Sequence, residues 1–151
     1  MEIRKIVIAT DGSPASAAAL DFGLELARDR GASAVALHVV SAREVEQLFS
    51  PDRTEPPSQA ELAEASEVLA QAARFSATHG ITVTLELVVA DGTEEVADAI
   101  SGVASGLDAD AIVMGTRGQG RIASAVLGSV SNAVLSAPGR ATVIVVREPE
   151  A

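Results

Sequence analysis

There is no cysteine in this sequence. That absence excludes disulfide frameworks, thiolate metal sites, iron–sulfur clusters and thiol nucleophiles together, and it accords with a reducing compartment. Aromatic residues are almost as scarce, at 2% with neither tryptophan nor tyrosine, which removes the stacking platforms that single-stranded nucleic acid uses. Positive charge is thin as well. Eleven basic residues stand against 21 acidic ones, a formal net charge of −10, so a general attraction to phosphate backbones is missing. No apolar run is long enough to span a bilayer, and residues 1–10 pass from charge into an apolar burst too brief for a secretory signal. The expectation is a soluble, cytoplasmic protein with no nucleic-acid and no membrane partner.

What is present is a chain of 151 residues, 48% apolar, dominated by Ala, Val, Leu and Ile. That length predicts a single domain over residues 1–151, large enough to bury about 70% of its unfolded surface without a staple. Five short β-branched runs alternate with helix-like segments, the pattern of an α/β fold with a mostly parallel sheet. The strands are expected at residues 3–9, 35–40, 81–89, 111–114 and 142–146. Ser13 caps a first helix, Pro14 sits where a missing N–H costs nothing, Leu20, Leu24 and Ala27 form its stripe, and Gly31 ends it. Residues 41–57 carry three prolines and several charges without periodicity and predict a mobile surface excursion. Ser58 with Glu61 forms a capping box opening one helix, with Leu62, Ala65, Leu69 and Ala72 on a face and a stop at Gly80. Thr93 opens another with Val96, Ile100 and Val103 inward, and a short helix is expected from about Ser129 to Ala137.

In an open parallel sheet, ligands bind outside the carboxyl ends of the strands where strand order reverses. Two such ends are unusual here. Thr10-Asp11-Gly12-Ser13 follows the first strand, and Met114-Gly115-Thr116-Arg117-Gly118-Gln119-Gly120 follows the fourth. Gly128-Ser129 then stands at a helix start, where unpaired N–H groups and the helix dipole attract an anion. Glycine at 115, 118 and 128 lets a phosphate approach the main chain; any one of them alone reads as a turn residue. Residues 111–147 hold Arg117, Arg121, Arg140 and Arg147 and no acid, a local charge of +4 against −14 for the remainder. Either this segment concentrates the positive potential for a polyphosphate, or packing keeps acids out of a buried strand and helix.

Competing motifs fall away. A Walker loop needs Gly-Lys-Ser/Thr, and the sole lysine is Lys5 in the first strand. Gly118-Gln119-Gly120-Arg121-Ile122-Ala123 fits the relaxed dinucleotide fingerprint but follows the fourth strand and lacks an acid about 20 residues on. There is no GxSxG elbow and no histidine pair at metal-ligand spacing. His38 and His79 read as structural or solvated. Asp11, at a strand tip, either holds a ribose hydroxyl or metal water, or caps the following helix.

Gly115-x2-Gly118-x9-Gly128-Ser129, with Ala9-Thr10-Asp11-Gly12-Ser13 and Leu37-His38-Val39-Val40, closely resembles the nucleotide-binding branch of the universal stress proteins. The resemblance spans essentially the whole chain. It implies a five-stranded parallel sheet of order 3-2-1-4-5, helices on both faces, and ATP with magnesium lodged between strands one and four. Carried across, Thr10 and Asp11 lie by adenine and ribose and Val39 contacts the base. Met114 and Gly115 approach the ribose and α-phosphate, while Gly118, Gly128, Ser129, Val130 and Ser131 grip the phosphates. The resemblance also implies a homodimer through the last strand, Val143, Ile144, Val145 and Val146. Gln119 stands where many relatives carry a histidine between loop glycines, so no histidine role applies there. Three functions follow: a nucleotide-dependent regulatory module in the stress response, a weak ATP hydrolase or nucleotidyl transferase on the same site, or a nucleotide-free dimeric scaffold. The enzyme reading needs a positioned base and a cationic clamp, for which only Arg117 and Arg121 are at hand.

Overall fold

A computed structural model describes residues 2–116 and 127–149. Along the chain run β1 (Lys5–Ala9), α1 (Pro14–Arg30), β2 (Ser33–Val40), α2 (Ala42–Leu48), α3 (Gln59–Ala65) and α4 (Glu67–His79). After them come β3 (Val83–Val89), α5 (Thr93–Gly106), β4 (Ala111–Gly115), α6 (Ser129–Ser136) and β5 (Thr142–Val146). The strands form one parallel sheet in the order β3-β2-β1-β4-β5, as expected. Strand order reverses at β1, between β2 and β4.

The central strand shows why both faces must be covered. Ile6, Val7 and Ile8 are all fully buried although their side chains alternate between faces. Ile6 and Ile8 join Leu20, Leu24 and Ala27 of α1 and Leu69 and Ala72 of α4 in one core layer. Val7 joins Leu37, Ile112 and Met114, with Ala97, Ile100 and Ala104 of α5 and Val134 of α6, in the other. Helix α1 starts as anticipated, with the Ser13 hydroxyl accepting from the Ser16 amide at 3.2 Å and Pro14 in the first turn. Gly31 (φ 64°) and Gly80 (φ 67°) close α1 and α4 in the left-handed conformation that glycine adopts without strain.

Two expectations are overturned between β2 and β3. Residues 41–57 are not irregular throughout, because Ser41 and Glu44 form a reciprocal capping box that opens α2; residues 49–57 carry no helix or strand, as expected. Arg53 then ties the segment down: it pairs with Glu61 at 2.6 Å, donates from Nε to the Glu55 carbonyl at 2.9 Å, and stacks 5.6 Å from the Phe49 ring. The second correction concerns the helix from Ser58 to Gly80, which is two helices. Its capping box at Ser58 and Glu61 is present, but Ser66 leaves helical geometry (φ −116°, ψ 116°) and caps α4 by accepting from the Leu69 amide at 3.2 Å. The apolar period of 3.6 survives the break, which is why the pattern alone reads as one helix.

Candidate functional site

The β1–α1 turn is wired almost wholly by side-chain hydroxyls. Thr10 donates from Oγ1 to Ser16 Oγ at 3.2 Å, the Asp11 amide donates to the same oxygen at 3.3 Å, and Ser16 Oγ donates to the Ser13 carbonyl at 3.1 Å. Asp11 accepts from the Ser13 amide at 2.9 Å through Oδ1, a turn that holds the cap residue Ser13 in place rather than capping the helix itself. Between them Gly12 has φ 83°, a conformation that a Cβ opposes. His38 reaches across from β2, its Nδ1 3.0 Å from the Thr10 carbonyl. A carbonyl only accepts, so Nδ1 carries the proton. Burial holds the His38 pKa below its ordinary value, outweighing the opposing pull of that bond, Glu44 and Asp11. His79 lies elsewhere, 3.0 Å from Asp21.

At the end of β4 the chain lies against α1. A Cβ on Gly115 would stand 2.7 Å from the Ala15 carbonyl carbon and 2.8 Å from its Cβ. Glycine is therefore required here by helix–strand contact, a reason that neither the phosphate-path nor the turn reading of Gly115 included. Ser131 donates from Oγ to the Gly115 carbonyl at 2.8 Å and to the Thr116 carbonyl at 3.3 Å, fastening α6 to β4 from a buried position. The Gly128 amide donates to the Thr116 carbonyl at 2.6 Å. The Gly128 N–H, expected among the free amides of this helix start, is thus engaged within the protein, and the Ser131 hydroxyl proton is held by β4. The next amides are different. No side chain caps α6, and among the described residues nothing accepts from the Ser129 and Val130 N–H groups, which stand at the positive end of the helix dipole.

A cleft of about 100 Å³ joins these parts. Thr10 and Asp11 border it from β1, Val39 from β2, Met114 and Gly115 from β4, and Val130 and Ser131 from α6. Seven of the ten sequence-predicted site residues thus meet in one place. Gly128 and Ser129 lie just beyond it, at the head of α6. Gly118 is outside the described residues, with Arg117, Gln119, Gly120 and Arg121. The volume is of the order of the ~150 Å³ apolar cavity that takes up a benzene ring, so a ring fits and anything longer extends out of it. Sequence reasoning missed the far wall. Val96 and Ile100 of α5 and Leu37 of β2 supply it, and the i, i+4 spacing of the first pair was the available signal. It also overcounted the positive charge near the site. Arg140 stands near Asp110 and Asp108, 4.0 Å and 3.4 Å away, at the opposite end of the sheet, because Asp110 precedes β4 whereas the cleft follows it.

Comparison with known proteins follows the same lines. The sequence profile described as the Universal stress protein family matches residues 2–147. A universal stress protein of Mycobacterium tuberculosis is 33% identical over 143 residues, covering 95% of this chain; the match takes in 45% of that protein, so this chain spans about half its length. Universal stress protein UspA from Lactobacillus plantarum superposes with a TM-score of 0.71 at 24% identity, covering 97% of this chain and 99% of that one. The universal stress protein from Archaeoglobus fulgidus in complex with dAMP gives a TM-score of 0.64 at 29% identity, covering 97% and 99%. With the family profile matched over residues 2–147 and a five-stranded parallel sheet of order β3-β2-β1-β4-β5, this chain belongs to the universal stress protein family.

Proposed function

We propose that the protein binds an adenine nucleotide, ATP with magnesium in the first instance, and acts as a nucleotide-dependent regulatory module. The observation that carries this reading is the juxtaposition of an apolar, ring-sized cleft with the uncapped N-terminus of α6. Val39, Leu37, Val96 and Ile100 offer the base an apolar slot. Thr10 and Asp11 border the base and ribose, Met114 and Gly115 the ribose and α-phosphate. The phosphates meet the head of α6 at Gly128, Ser129, Val130 and Ser131, chiefly through the Ser129 and Val130 amides. Gly118 belongs to the same phosphate group in this reading. Charge-assisted hydrogen bonds contribute about 1.5–3 kcal/mol each, and a few of them support the ~8 kcal/mol of micromolar affinity after ordering costs. Magnesium comes with the phosphates, which supply its oxygen ligands together with water. The dAMP held by the Archaeoglobus fulgidus relative supports the base and first phosphate.

Efficient turnover is not part of the reading, since among the described residues the one carboxylate bordering the cleft, Asp11, is oriented by the Ser13 amide. We further propose a homodimer through β5, an edge strand of the sheet, with Val143 to Val146 pairing across the interface.

Acid extraction of the purified protein, followed by calorimetry with ATP, ADP and AMP, tests the binding. Bound adenine nucleotide or a calorimetric heat is expected; an empty protein giving no heat with any of the three returns the scaffold reading. Ser129→Asp separates ligand from fold. An acid at this exposed position favours the helix by about 0.3–1 kcal/mol, yet it repels phosphate. ATP affinity falls at least tenfold while the urea midpoint stays or rises. Undiminished affinity places the phosphates elsewhere.

A further inference from the structure

Thr10 is where the β1–β2 ladder stops. In a parallel pair, a residue donates to one strand neighbour's carbonyl and accepts from the amide two residues further along. Ala9 is in register with Leu37, and the Thr10 amide donates to the Leu37 carbonyl at 2.9 Å. The ladder would continue with the Thr10 carbonyl accepting from the Val39 N–H. It accepts instead from His38 Nδ1, at 3.0 Å.

The consequence falls on Val39. Its backbone faces β1, because Leu37 does, while the Val40 carbonyl accepts from Ala90 on the other side of β2. Among the described residues nothing accepts from the Val39 N–H, although the residue borders the cleft. His38 is well placed for the exchange. Its side chain lies on the sheet face of Ala34 and Ala36, opposite the face that Leu37 and Val39 give to the cleft, so it draws the Thr10 carbonyl toward α1 and fills none of the slot.

We infer that His38 is a positioning residue: its Nδ1–H takes the carbonyl that would otherwise close the ladder, and so keeps the Val39 N–H open to a ring-nitrogen acceptor on the base. The ligand half of this statement rests on the nucleotide reading; the exchange of partners does not.

Amide hydrogen exchange and binding, measured together on the full chain, His38→Leu and His38→Asn, test it. Leucine keeps the bulk and removes the donor, whereas asparagine retains a donor near the Nδ1 position. In His38→Leu the Thr10 carbonyl returns to the Val39 N–H, whose protection in the ligand-free protein rises about tenfold, the scale of one hydrogen bond. ATP affinity falls by a similar factor and inorganic tripolyphosphate affinity, measured in parallel, stays within twofold. His38→Asn restores the original protection and ATP affinity. Unchanged Val39 protection in His38→Leu overturns the inference. So does equal loss of ATP and tripolyphosphate, which marks general loosening of the turn. A parent protein that binds no ATP overturns the nucleotide reading alone, and Val39 protection in the three proteins still decides the role of His38.

Discussion

At the scale of single residues, the site is built from groups whose structural duties are already assigned. Gly115 is pressed against Ala15, Ser131 is bonded to two carbonyls, and Ser16 takes two donors while donating to a third group. Gly115→Ala accordingly tests packing before it tests binding. A new methyl at 2.7 Å from a main-chain carbon has no flexible neighbour to displace, so unfolding in urea should show a loss of about 1–3 kcal/mol. An unchanged midpoint would mean that α1 yields there. A glycine required by a strand–helix contact and a glycine required by a ligand are identical in sequence. Only the neighbour across the gap distinguishes them, and that neighbour, Ala15, lies 100 positions away in the chain.

Among the elements, caps matter in proportion to what their helices bury. Ser66 is buried and caps α4, which places Leu69 and Ala72 in the core, whereas α2 buries nothing. Ser66→Ala should lower global stability by about 0.5–2 kcal/mol. Ser41→Ala should leave the denaturation midpoint in place and show only as faster proteolysis within residues 42–48; a comparable global loss in both variants would contradict this division. The two edge strands differ in the same concrete way. The β3 edge is blocked at Leu85, whose amide and carbonyl are both engaged by the Gln59 side chain at 2.7 and 2.9 Å. On β5, the Thr142 amide and the Val146 carbonyl face β4, so Val143 and Val145 turn their backbone groups outward. Val145→Pro deletes an outward donor and no ladder bond. If the proposed dimer forms through β5, sedimentation should show a dimeric parent and a monomeric variant with circular dichroism unchanged; a variant as dimeric as the parent would place the interface elsewhere.

For the whole molecule, the opposite ends of the sheet are pinned by different chemistry, and acid loosens both. Asp110 accepts from the Arg4 and Lys5 amides at 2.8 and 3.1 Å, and those bonds, with Arg140 and Arg4 nearby, hold its pKa below the ordinary 3.8. His38 at the cleft end is held below 6.5, by burial first. Both groups therefore bind fewer protons folded than unfolded, so stability rises with pH through each window. Falling pH first costs stability below about 6.5, as His38 must charge, and again below 3.8, as Asp110 is protonated. His38→Asn should flatten the first slope and Asp110→Asn the second in midpoint-against-pH curves; unaltered slopes would assign the acid sensitivity to other groups.

The strand runs, the caps at Ser13 and Ser58 and the glycine stops were legible in the chain, because burial on both faces and helix termination are enforced by local residue types; the 3-2-1-4-5 order followed only from the family resemblance. Ser41-x-x-Glu44 was equally readable and was hidden only by the prolines downstream. What the linear order could not disclose was partnership across distance. The engagement of the Gly128 amide by Thr116, the far wall from α5, the removal of Arg140 to the other end of the sheet, and the substitution of His38 for a ladder bond at Thr10 are each decided by which strand ends where. Hydrogen bonding is short-ranged and directional, so a residue's type fixes what it can offer, and only the assembled sheet fixes what stands within 3 Å to accept it.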